Sequence, residues 1–144
     1  MKKAAFYILM MLITALGFSQ EGCLKFRNGK FKVTDPASKK VCIITRDGDI
    51  QTERMEDSDE TYDFTIEWIN DCTYTVTPTP TTIDRNRDVL KAGTMTVKIV
   101  KTTDTSYTQK VRVASNPKFR RYDEVYVVKE EKKEEEKEET DKKY

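Results

Sequence analysis

An all-β fold, a small antiparallel meander closing into a barrel or a sandwich, is what residues 20–128 predict. Three observations lead there. Apolar and polar residues alternate with period two in several runs. Gly, Pro, Asn and Asp punctuate the gaps between those runs. Hardly any stretch carries the period of an amphipathic helix.

The first segment is of another kind. Lys2 and Lys3 precede an apolar run from Ala4 to Leu16, and Gly17 and Ser19 follow. A charged start, a short apolar centre and small residues three and one before a cut are the parts of a secretory signal. Residues 1–19 are therefore expected to form a signal helix, cleaved after Ser19. The apolar run is too short for a hydrocarbon core that takes about 20 residues to cross, so no membrane span is expected after cleavage. Gly22 before Cys23 would suit a lipoprotein signal, but Gln20 and Glu21 do not supply the apolar residue such a signal needs.

Residues 20–128 hold apolar side chains enough for one modest core and a single β domain. Residues 26–33 read as a strand with Asn28-Gly29 as its punctuation. Residues 41–45 and 50–54 flank Asp47-Gly48, a hairpin signal. Tyr62, Phe64, Ile66 and Trp68 fall on one face of the next strand, with Asp63, Thr65 and Glu67 on the other. To keep Tyr74 and Val76 on the apolar side, Trp68 must lie opposite Tyr74. That needs an odd-numbered connection of three or five residues with a bulge, because a slip of one residue reverses the whole face.

Pro78 and Pro80 end the following strand, and residues 84–91 are the one helical candidate, stopped by Gly93. Met95, Val97 and Ile99 alternate with Thr96 and Lys98; Tyr107, Val111 and Val113 alternate with Thr108, Lys110 and Arg112. A turn at residues 103–105 joins them. Residues 124–128 are β-branched enough to close the sheet. From Lys129 the chain is almost wholly Lys and Glu, with like charges at most i,i+4 spacings, so residues 129–144 are expected to be a disordered tail.

Composition excludes more than it reveals. Twenty-six Lys and Arg against 25 Asp and Glu give no electrostatic reason to expect nucleic acid, and the only local basic cluster is Lys118, Arg120 and Arg121. There is no histidine, so serine–histidine and cysteine–histidine nucleophiles are impossible. The chain is expected to be no enzyme, with no catalytic residues, metal or cofactor. Three cysteines, Cys23, Cys42 and Cys72, allow three pairings with one thiol over. Cys23–Cys72 is favoured, because Cys42 sits in the apolar run Val41-Cys42-Ile43-Ile44 and passes as a small buried hydrophobe; a pairing that uses Cys42 is the rival.

Three groups of side chains invite a functional reading. Residues 56–60 are acidic and could hold a hard cation, but they lack the spaced ligands and glycine of a calcium loop and read better as a solvated loop. Asp63 and Glu67 look outward, which argues against an acid–base pair. Tyr62, Phe64, Ile66, Trp68, Tyr74 and Tyr107 are the candidate ligand-lining residues. An inward row of this kind is more often plain core, although Tyr and Trp need polar partners when buried.

Cys23-x-x-Phe26-x-x-Gly29-x-Phe31, the segment Phe64-x-Ile66-x-Trp68-Ile69-Asn70-Asp71-Cys72-x-Tyr74 and the run from Met95 to Ile99 resemble a family of short exported bacterial proteins. Its members are often labelled DNA topoisomerase IV, a propagated naming error, since so short a chain has no room for an ATPase or DNA-cleaving domain. The resemblance covers residues 23–112 and implies no established activity. It implies a disulfide between Cys23 and Cys72. Several members look lipid-anchored, from which this chain departs. Gly29-Lys30-Phe31 is also similar to the Gly-x-Trp of lipocalin first strands, with Arg120 and Arg121 before the last strand. That likeness implies a lipocalin-like barrel of about eight strands.

The expected function is an exported binding module, periplasmic or secreted, holding an apolar small molecule or peptide. The alternative is an interaction or inhibitor protein that meets an envelope protein through a sheet edge or loop.

Overall fold

The computed structural model describes residues 21–130; the expected signal segment and residues 131–144 of the tail lie outside the described residues. Eight strands follow in order: β1 (Gly29–Thr34), β2 (Val41–Asp47), β3 (Ile50–Met55), β4 (Thr61–Asn70), β5 (Thr73–Pro78), β6 (Met95–Thr102), β7 (Ser106–Val113) and β8 (Asn116–Val127). Each pairs antiparallel with the next, and β8 pairs with β1, so the meander is a closed barrel. Closure satisfies the edges that an open sheet would leave unpaired.

The hairpins follow their local chemistry. Asp47 pairs with Ile50 across the two-residue turn Gly48-Asp49, and Gly48 takes φ 60° where a primed turn wants glycine. Trp68 pairs with Tyr74 as expected, but the connection is the two-residue turn Asp71-Cys72 between paired Asn70 and Thr73, and not one of three or five residues. The register shift between Trp68 and Asn70, a bulge at Ile69, is what keeps both aromatic rings on the apolar side. Their ring centroids are 4.6 Å apart.

Three boundaries differ from expectation. Residues before Gly29 do not join β1; they form a short helix, α1 (Glu21–Leu24), and a turn that lays Phe26 into the barrel base. The last strand starts at Asn116, so Arg120 and Arg121 stand inside β8, where pairing with β7 carries the strand through its polar residues. The expected helix over 84–91 is displaced. Helix α2 (Pro80–Arg85) begins at the proline, whose fixed φ suits a first helical position, and Thr79 caps it by accepting the Thr82 amide at 3.3 Å. Asn86 then breaks it with extended backbone, and a 3₁₀ turn (Arg87–Lys91) follows.

One end of the barrel is capped. Cys23 in α1 is bonded to Cys72 in the β4–β5 turn, leaving Cys42 as the free thiol among the described residues. Lys25 donates to the Thr103 carbonyl at 2.7 Å, and Asn28 accepts the Gly48 amide at 3.0 Å, tying the segment after α1 to two further turns. Beneath this cap Phe26, Phe31 and Tyr107 pack with centroids 4.8–6.3 Å apart. Above them Ile66, Val76, Val97, Ile99, Val111 and Val125 fill much of the interior. Among the described residues no helix is long and apolar enough to cross a membrane.

Candidate functional site

The barrel interior carries polar side chains because strand periodicity carries them there. On β2, Cys42, Ile44 and Arg46 share the inward face; on β3, Gln51 and Glu53 do; on β7, Tyr107, Gln109 and Val111; on β8, Arg121, Asp123 and Val125. A one-residue shift in any strand would put these groups in water. Their neighbours' burial holds the register.

Arg46 is the centre of this set, with 2 % of its surface exposed. Its Nε donates to Gln51 Oε1 at 2.8 Å, Nη1 to the Phe26 carbonyl at 2.9 Å, and Nη2 to the hydroxyls of Tyr74 and Tyr107, both at 2.7 Å. The guanidinium also lies within 6 Å of the Phe31, Tyr74 and Tyr107 ring centroids, a range in which a cation is attracted to the ring face. Burial works against its charge, but Tyr74, Tyr107 and then Glu53 together pull the other way, and Arg46 titrates above its ordinary value. Tyr74 in turn is pushed well above the usual phenol range, chiefly by burial.

From Arg46 the hydrogen bonds run both ways. Gln51 Nε2 donates to Glu53 Oε1 at 2.6 Å. In the other direction Tyr74 donates to Gln109 at 3.5 Å, Gln109 Nε2 donates to Asp123 Oδ2 at 3.3 Å, and Arg121 Nε donates to the same oxygen at 3.0 Å. A connected polar chain thus reaches from the capped base to the far end.

Beside this chain lies a cavity of about 150 Å³. Val33, Ile44, Val76, Val97 and Val111 form its apolar wall; Arg46, Gln51, Glu53, Gln109 and Arg121 form its polar side. It shares Val33, Cys42 and Arg121 with a depression of about 240 Å³ at the uncapped end, where Asp35, Lys40 and Asp123 also line the mouth. Arg121 is half exposed at this junction.

Two cavity groups are electrostatically displaced. The Cys42 thiol is pushed up to about 12, by burial first and the Glu53 carboxylate second, so it stays protonated and unreactive. Glu53 is raised above its ordinary value by burial, with the Gln51 hydrogen bond and then Arg46 and Arg121 pulling the other way. A carboxyl raised on folding favours the folded state while neutral, so its contribution is complete below the unfolded value near 4.3 and is lost as pH rises through the folded value. Glu53→Gln is accordingly expected to raise the melting temperature at pH 7 and to change it little at pH 4. A gap between the two proteins that is widest at pH 4 would contradict this.

Of the six aromatic and aliphatic residues singled out from the sequence, Tyr74 lines the cavity. Phe64, Ile66 and Tyr107 are core, the last bonded to Arg46. Trp68 is half-buried, with Arg27 stacked 4.7 Å from its centroid, and Tyr62 is half-buried with Arg85 at 5.1 Å. Residues 56–60 form the β3–β4 loop, where Arg85 pairs with Glu60 at 3.2 Å. Asp63 accepts from Thr52 at 2.7 Å on the outer wall. Sequence reasoning passed over Arg46, Gln51, Glu53, Gln109 and Asp123. The signal was present in parity: Gln109 stands midway between Tyr107 and Val111, and Arg46 two residues beyond Ile44. No family model, curated protein or solved structure that is known matches this chain.

Proposed function

We propose that this chain is a non-enzymatic binding module, exported to an oxidising compartment, whose barrel lumen holds a small molecule with an apolar body and a hydrogen-bonding head. The cavity carries this reading, because apolar valines face a polar side that ends in a half-exposed arginine at the mouth. At about 150 Å³ it lies below the usual range for drug-sized ligands, roughly 300–1,000 Å³, and suits a single ring or a short branched chain. The Cys23–Cys72 bond fits an oxidising compartment. The second reading, an interaction protein that meets its partner through a sheet edge or a loop, is less favoured at the β1–β8 seam, where Phe31–Val33 already pair with Val125–Val127.

The reading is tested with a hydrophobic dye and with Trp68 fluorescence, since the Trp68 ring touches Tyr74, which lines the cavity. Small apolar molecules should displace the dye and perturb Trp68. The lumen-filling variant Val97→Phe should fold and weaken that binding by at least about tenfold, as one blocked apolar contact surface of this size implies. Dye displacement that survives Val97→Phe unchanged would place binding elsewhere, and no displacement by any extract would refute the reading.

A further inference from the structure

We propose that the outer wall formed by β6, β7, β8 and β1 docks on an anionic lipid surface, a role separate from the lumen. The near-zero net charge of the chain conceals a strong segregation around the barrel. On β6 and β7 the outward side chains include Lys98, Lys101, Lys110 and Arg112, and on β1 Lys30 and Lys32. Lys118 and Arg120 are exposed on the part of β8 that leaves regular pairing with β7, where Arg120 donates to the Pro117 carbonyl at 2.7 Å. The outward acid of these four strands is Glu124, already engaged by Thr108 at 3.0 Å and Tyr126 at 3.2 Å. On the opposite wall, β2 to β4 present Asp47, Asp63 and Glu67 against Arg54. Each strand contributes only two cations, and antiparallel closure sets them side by side.

Four features separate this wall from an ordinary solvated surface. Lys98 stands directly opposite Lys110, a like-charge pairing that costs stability and has no counter-ion. Among the described residues none of the eight cations forms an ion pair within the protein. In addition, Tyr122 and Tyr126 are 58 % and 47 % exposed within the same wall, and Val100 is 46 % exposed beside it. Tyrosine places a ring in the apolar edge of a headgroup layer and its hydroxyl in water, while lysine reaches to the phosphates above. At one end Arg112 edges an open depression of about 330 Å³ with Thr94 and Thr96, a guanidinium and two hydroxyls suited to one phosphate headgroup. A nucleic-acid duplex is less well served, because reading it calls for an element that enters a groove, and this wall is a convex sheet.

The test compares the chain from Gln20 onward, as cleavage after Ser19 would leave it, and its variants on vesicles of phosphatidylcholine alone and of phosphatidylcholine with a third phosphatidylglycerol. Residues 1–19 are left out because their apolar run with Lys2 and Lys3 would bind vesicles by itself. The parent should partition onto the anionic vesicles far more strongly than onto the neutral ones, and lose that preference in high salt. Lys98→Gln, Lys110→Gln and Arg112→Gln together should lower anionic partition on the order of a hundredfold, at roughly fivefold for each cation. The single variant Lys110→Gln removes the cross-strand repulsion, so it should melt no lower than the parent and still bind several-fold more weakly. Arg54→Gln on the opposite wall should bind as the parent does. Equal partition onto both vesicles, or a triple variant that partitions like the parent, overturns the proposal. So does retention of a DNA single strand that the triple variant loses, with no lipid preference in either protein.

Discussion

Arg46→Met is expected to destabilise the barrel by about 3–5 kcal/mol, the range seen when one partner of a buried charged network is removed. The methionine fills the space and burial is kept, so the loss comes from what Arg46 leaves behind. Two tyrosine hydroxyls, a carbonyl and an amide oxygen lose a donor together in the barrel base. An unsatisfied buried group costs roughly 1–3 kcal/mol, and part of that is recovered when neighbours relax. The prediction therefore has a second half. Tyr74→Phe and Tyr107→Phe should each cost less in the Arg46→Met background than in the parent, because the group they remove is already orphaned. Urea denaturation of the single and combined variants measures this coupling. Additive losses across the cycle would mean that Arg46 acts through packing, not through its hydrogen bonds.

Removing the Cys23–Cys72 bond should be nearly as severe. The two cysteines are 49 residues apart, and opening a loop of that length releases entropy to the unfolded chain worth roughly 4 kcal/mol at 25 °C. For a domain of this size that corresponds to a fall in melting temperature on the order of 15 °C. Cys23→Ala with Cys72→Ala, followed by calorimetry, gives the value directly. Reductant should lower the melting temperature of Cys42→Ala as it does that of the parent, since Cys42 takes no part in the bond. A parent insensitive to reductant would show that packing of Phe26 against Tyr107 alone holds the cap.

Several features were legible before any coordinates. The row Tyr62, Phe64, Ile66 and Trp68 lies on one face of β4, and Trp68 faces Tyr74 across a bulge, as the need to keep large apolar groups together required. The Gly48 hairpin and the 103–105 turn followed from residue chemistry. The boundaries of α1, α2 and β8 did not, because each rests on contacts distant in sequence: a disulfide to residue 72, the Thr82 hydroxyl bonding the Asp63 amide at 2.9 Å, and β8 pairing along β7. The candidate site was the least legible part. Gln109 and Glu53 look like surface residues when an apolar alternation is being traced, and only the position of Arg46 gives them a reason to be inside.

What the residues alone determined, then, is strand position and which side of each strand is apolar, since alternation is a property of neighbours two apart and needs no partner. The tertiary structure decided which polar groups meet in the lumen and which cations share a wall. Both depend on strand order and register around a closed barrel, where Arg46 and Tyr107 come within 2.7 Å across 61 residues. Such distances are set by closure, and no local pattern encodes them.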